Sequence, residues 1–164
     1  MTRFLLPLVV AALLLSAGPV LGQGQGQGGG RPLRAMGIQD LDFGTILPGV
    51  PTTVLRTDPL NSGQFEIRGQ RLTEVLVDLV LPPDLVGPSG LSIPLVFGPG
   101  SAGYSSTGAI GAQLGFDPDV PQALTLPGNG RGTIFLGGIA LPPAQLAAGT
   151  YSATITVTLT YLAN

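Results

Sequence analysis

The chain has no cysteine, no histidine and no tryptophan among its 164 residues, and reading along it finds no lysine. Without cysteine no disulfide can staple the fold, even in a compartment that would permit one. Without histidine, cysteine or lysine, the usual base for a serine or threonine nucleophile is missing, as are the commonest transition-metal ligands. Hydrolase triads are therefore excluded as ordinarily built, and no cofactor is expected. Charge is also scarce, at 10% of residues, with a formal net charge of −2. That balance offers neither a nucleic-acid footprint nor a polybasic membrane patch, so nucleic acid is not an expected partner.

Apolar residues are concentrated in one uninterrupted run, residues 4–15. Arg3 precedes it, and Val20, Leu21 and Gly22 form a small-residue site before Gln23. This pattern reads as a secretory signal peptide over residues 1–22, too short for a comfortable membrane span. The mature chain is then expected to begin at Gln23, secreted or at the cell surface, with no membrane span after cleavage. Loss of Arg3 leaves six arginines against nine acidic residues.

Glycine and proline, 26 and 16 residues, punctuate the chain beyond this run. Residues 23–30 (QGQGQGGG) carry no side chains with which to build a core and read as a flexible tether. The tether continues to Met36, and residues 37–164 read as one domain. Within it the runs at 38–46, 52–56, 64–68, 74–81, 92–97, 109–116, 122–126 and 132–141 are short and strand-like. The run at 132–141 is apolar on both faces except at Gly137 and Gly138, which predicts a bulge or a close backbone approach. The one helical candidate, residues 142–148 (PPAQLAA), is long enough for a single turn.

The last run is the most regular. Tyr151, Ala153, Ile155, Val157, Leu159 and Tyr161 alternate with Thr150, Ser152, Thr154, Thr156, Thr158 and Thr160. That is the period-two pattern of a strand with one buried and one wet face, about 40 Å long at roughly 3.3 Å per residue. Undocked, it would be an open edge. Together the runs give about nine strands at hairpin-like spacings, and predict an all-β, mostly antiparallel sandwich.

Several motifs in this order carry a resemblance: Leu41-Asp42-Phe43-Gly44 followed by Pro48-Gly49, a Gly-x-Phe-x-Ile-x-Gly from Gly63 to Gly69, Leu136-Gly137-Gly138, and Ala148-Gly149-Thr150-Tyr151 leading into the final strand. The chain resembles a bacterial family of secreted domains of unknown function, similar to spore coat protein U and more distantly to the fimbrial subunits of chaperone-usher pili. The resemblance implies an immunoglobulin-like sandwich used in surface structures. It also implies partners: copies of the chain itself or related subunits, a periplasmic chaperone and an outer-membrane usher. The chain departs from pilus subunits in lacking a cysteine pair. Its N-terminal extension also offers only the ragged apolar set Leu33, Ala35 and Met36 as a candidate donor segment.

The expectation is a non-enzymatic subunit of a surface fibre, coat or adhesive appendage, in which the row from Tyr151 to Tyr161 holds the sheet and an edge exchanges a strand with a neighbour. The alternative is a self-contained extracellular domain that binds carbohydrate or a surface ligand. Its contacts would be Tyr104, on a loop, with Asp117 and Asp119. The two carboxylates flank Pro118 and read as solvated turn residues rather than as an acid–base pair. Gly128-Asn129-Gly130-Arg131-Gly132 reads as a loop before a strand, since no Lys-Ser/Thr comes after it.

Overall fold

The computed structural model describes residues 10–12, 14–15 and 30–162. The rest of the expected signal peptide and residues 23–29 of the tether lie outside the described residues. Among the described residues the protein is nearly all β, with 49% in strands and 2% in helix, in antiparallel sheets consistent with a sandwich. The expected class is therefore found, but among the described residues there are fourteen strands from Arg34 onward rather than about nine.

In chain order the strands are β1 Arg34–Gln39, β2 Asp42–Thr45, β3 Thr52–Val54, β4 Gly63–Arg68 and β5 Glu74–Val80. Then come β6 Asp84–Val86, β7 Ser92–Val96, β8 Ala102–Ser105, β9 Leu114–Phe116 and β10 Gln122–Thr125. The last four are β11 Arg131–Leu136, β12 Gly138–Ala140, β13 Thr150–Tyr151 and β14 Thr154–Tyr161. One sheet has five strands in the order β9-β8-β11-β4-β1, and a second places β5 between β10 and β14. A third runs β3-β12-β7-β6.

The additional strands arise largely because single runs are cut where the chain changes partners. The run at 38–46 becomes β1 and β2, broken at Asp40 and Leu41, where Leu41 enters the core and Asp42 N–H donates to Asn61 O at 2.9 Å. β1 opens at Arg34, inside the segment expected to be tether. The terminal run is likewise two strands and not one: Ser152 exchanges two backbone hydrogen bonds with Val86, at 2.9 and 3.0 Å, and separates β13 from β14. The close approach expected at Gly137 is present, since a Cβ there would lie 2.4 Å from Val54 O and 2.6 Å from Arg56 N.

Two expectations fail locally. Residues 142–148 make no helical turn, because their carbonyls are engaged elsewhere: Pro143 O accepts Gly49 N–H at 3.1 Å, and Ala147 O accepts the Tyr151 hydroxyl at 2.9 Å. Among the described residues the one helix is the three-residue 3-10 turn Pro88–Gly90. In the run at 109–116, only Leu114–Phe116 is strand, and Ala112 N–H turns back to Ala109 O at 3.1 Å.

The core forms where the five-stranded sheet meets the sheet built on β5. Phe65, Ile134 and Tyr104 stand side by side across β4, β11 and β8, and pack in one cluster with Val75, Val77, Ile155 and Val157. Burial of each large apolar side chain contributes about 1.5–3 kcal/mol. Gly132 leaves room for the Tyr104 ring, whose Cε2 would lie 2.4 Å from a Cβ at that position. The Tyr104 hydroxyl donates to Thr125 O at 2.8 Å and ties β8 to β10 in the other layer.

Candidate functional site

The site is a strand-wide gap between the first and last parts of the domain. One rim is β2. The other is β13 and, after it, β14. Val10–Ala12 lies between them, antiparallel to β2 and parallel to β13. Its register sets Val10 against Thr45 and Thr150, and Ala11 against Gly44 and Tyr151. Leu14–Leu15 then runs parallel to the start of β14, opposite Thr154 and Ile155. Among the described residues, this is the one strand partner on that edge of β14, since β5 pairs with its other edge from Thr156 to Tyr161.

Local sequence shapes both rims. On β2, Asp42 Oδ1 accepts the Gly44 N–H at 2.7 Å, and Gly44 takes φ +63, which glycine adopts without a Cβ penalty. Phe43 meanwhile points into the core. On the facing rim, Tyr151 and Ile155 are buried beneath the backbone that pairs with the inserted segment. A strand entering here finds unpaired main-chain groups at its sides and apolar side chains below, which is how a sheet edge binds an extended peptide.

Of the row expected to hold the sheet, Tyr151, Ile155 and Val157 are buried, while Ala153, Leu159 and Tyr161 are half-buried. Tyr161 closes the far end, its hydroxyl donating to Arg31 O at 2.7 Å and accepting from Gln70 N–H at 2.8 Å. Leu33, Ala35 and Met36 do not form a free segment. Arg34–Gln39 is paired with β4, Leu33 and Ala35 pack on the core, and Met36 is exposed on the sheet.

Tyr104 is not a loop contact. It lies in β8 and is 7% exposed, and burial pushes its phenol pKa up from the ordinary value. Asp117 Oδ1 accepts the Asp119 N–H at 3.0 Å across Pro118, an Asx turn far in sequence from either rim. Among the described residues no cluster of acidic side chains is arranged to hold a metal ion, and no helix is long and apolar enough to cross a membrane.

Sequence reasoning did not find β2 as a rim. The signal was the Asp-x-Gly turn within an apolar run, but rim pairing joins segments more than a hundred residues apart in sequence, from Asp42 to Thr150. The sequence matches no protein-family model and no curated protein.

Proposed function

We propose that this protein is an exported, non-enzymatic structural subunit of a surface fibre or coat, and that the gap between β2 and β13–β14 receives a strand from a neighbouring chain. The observation that carries this reading is the pairing of Val10–Ala12 and Leu14–Leu15 in the gap. Both segments belong to the run expected to be removed on export. Cleavage after Gly22 takes away the strand that joins the two rims, and an edge left without its partner is a template for another strand. The missing bases and nucleophile partners, and the carboxylates of Asp117 and Asp119 in a turn, support a role without catalysis.

The mature N-terminus is a poor donor for such a gap. Residues 23–30 supply glycine and glutamine, and the next strand, Arg34–Gln39, already has a place in the chain's own sheet. The chain therefore acts chiefly as an acceptor, and its donor is a related subunit with an apolar extension.

The test is to produce residues 23–164 and to add a solubilised peptide spanning residues 8–15. The expected result is a protein whose melting temperature rises with the peptide, and which is retained by subunits carrying an apolar extension. A monomer of unchanged stability that ignores the peptide and every such extension overturns the reading.

A further inference from the structure

The outer face of the five-stranded sheet carries three arginines in a row. Arg34, Arg68 and Arg131 are direct cross-strand partners on β1, β4 and β11, so their side chains leave the same face. At about 4.8 Å between strands the row extends for roughly 10 Å. Like charges placed directly opposite destabilise a sheet, so stability alone does not account for this arrangement. Arg31 stands beside them, and together the four line a cleft of about 230 Å³ with Pro32, Gly69 and Gly130.

One carboxylate faces the row. Glu66 binds Arg68 at 2.5 Å and reaches Arg131 at 3.7 Å. Among the described residues neither Arg31 nor Arg34 has a carboxylate partner within salt-bridge distance, and both are exposed. Four of the six arginines beyond Arg3 thus gather in one cleft of an otherwise acidic chain. Their placement is built from a distance, because Tyr161 at the end of β14 holds the Arg31 carbonyl and the Gln70 amide.

We propose that this cleft binds an acidic polysaccharide, with the arginine forks holding successive carboxylate or sulfate groups along the polymer. Guanidinium pairs bidentately with both kinds of oxyanion, and a row of three across adjacent strands suits a linear array of charges better than one small ion. This site lies apart from the strand-accepting gap and does not depend on assembly.

The test uses the full chain in the processed form the cell exports, passed over immobilised heparin, polygalacturonate and neutral dextran at stepped salt. Binding to heparin, to polygalacturonate or to both, with dextran ignored, supports the site and shows whether sulfate or carboxylate is preferred. Arg34→Gln, which breaks no ion pair, is expected to weaken binding at least fivefold and to lower the salt dependence by about one counterion. Arg34→Gln with Arg131→Gln should weaken it more than twentyfold, with an unchanged melting curve for the single variant as the folding check. Arg56→Gln removes the same charge elsewhere and should change affinity less than twofold. Equal loss in Arg56→Gln and Arg34→Gln would reduce the effect to bulk charge and overturn the proposal. So would retention on dextran, no binding to either polyanion at low salt, or full competition by inorganic sulfate at matched charge concentration.

Discussion

The two layers of the sandwich are completed in different ways. In the five-stranded sheet, β4 and β11 lie between partners supplied by the chain from Arg34 to Leu136. In the opposite layer, β5 holds β14 on one side, but the outer edge of β14 and the join between β2 and β13 depend on Val10–Ala12 and Leu14–Leu15. One layer is thus sealed by residues that stay with the domain, and the other by residues expected to leave it. Stability of the fold and the strand exchange proposed above therefore need not compete. A closed layer can carry the fold while the open one keeps an edge available.

The largest expected effect tests the closed layer. Phe65 is 1% exposed between β1 and β11, and Phe65→Ala should cost about 3–5 kcal/mol through lost burial and the cavity left behind. Urea denaturation of the full chain and of residues 23–164 should give the same loss, because Phe65 sits in the sheet that needs no added strand. A loss much smaller in one form than in the other would break the contrast between layers.

Ile155 makes the complementary test on the open layer. It is 1% exposed with Leu15 paired beside it, and Ile155→Ala should cost about 2–5 kcal/mol in the full chain. In residues 23–164 the same change should cost measurably less, since the edge beside Ile155 is then unfilled and the site can relax around the smaller side chain. Amide exchange sharpens the comparison further. Removal of residues 1–22 should speed exchange along the rims at Thr45 and Thr154 while leaving Phe65 and Ile134 protected. Uniform protection across both layers would show that the edge closes without a partner.

The parts of this fold that could be read from sequence are those where one face is apolar and the other polar. Glu74–Val80 and Gly63–Arg68 alternate plainly and fall where expected. Ala102–Ser105 does not alternate, because all four residues are buried, and Arg56 and Gln113 cover the outer side at Gly103. A strand of mostly small residues covered on both faces has no period to detect. Tyr104 is hidden for the same reason: its glycine and serine neighbours suggest a loop, whereas Gly132 makes space for its ring. The alternating row near the C-terminus was visible, but not its break at Ser152, which a bridge to distant Val86 imposes. The rims of the gap and the arginine row were hidden alike, since both are made by register between segments far apart in sequence.

Tyr104 also supplies the smallest test, because it belongs to the closed layer and reaches across to β10. Tyr104→Phe keeps the ring that fills the space over Gly132 and removes the hydrogen bond to Thr125 O, at an expected cost of about 1 kcal/mol. Burial raises the phenol pKa, so the folded protein holds this proton more tightly than the unfolded chain does. Its contribution is then fully present below the ordinary tyrosine value of about 10, and is lost as pH rises through the folded value. The stability gap between wild type and Tyr104→Phe, measured by urea denaturation from pH 8 to pH 11, should therefore narrow with rising pH. A gap that stays constant over that range would mean that the hydroxyl is not shielded, and that the tie between the two layers is weaker than its 2.8 Å geometry suggests.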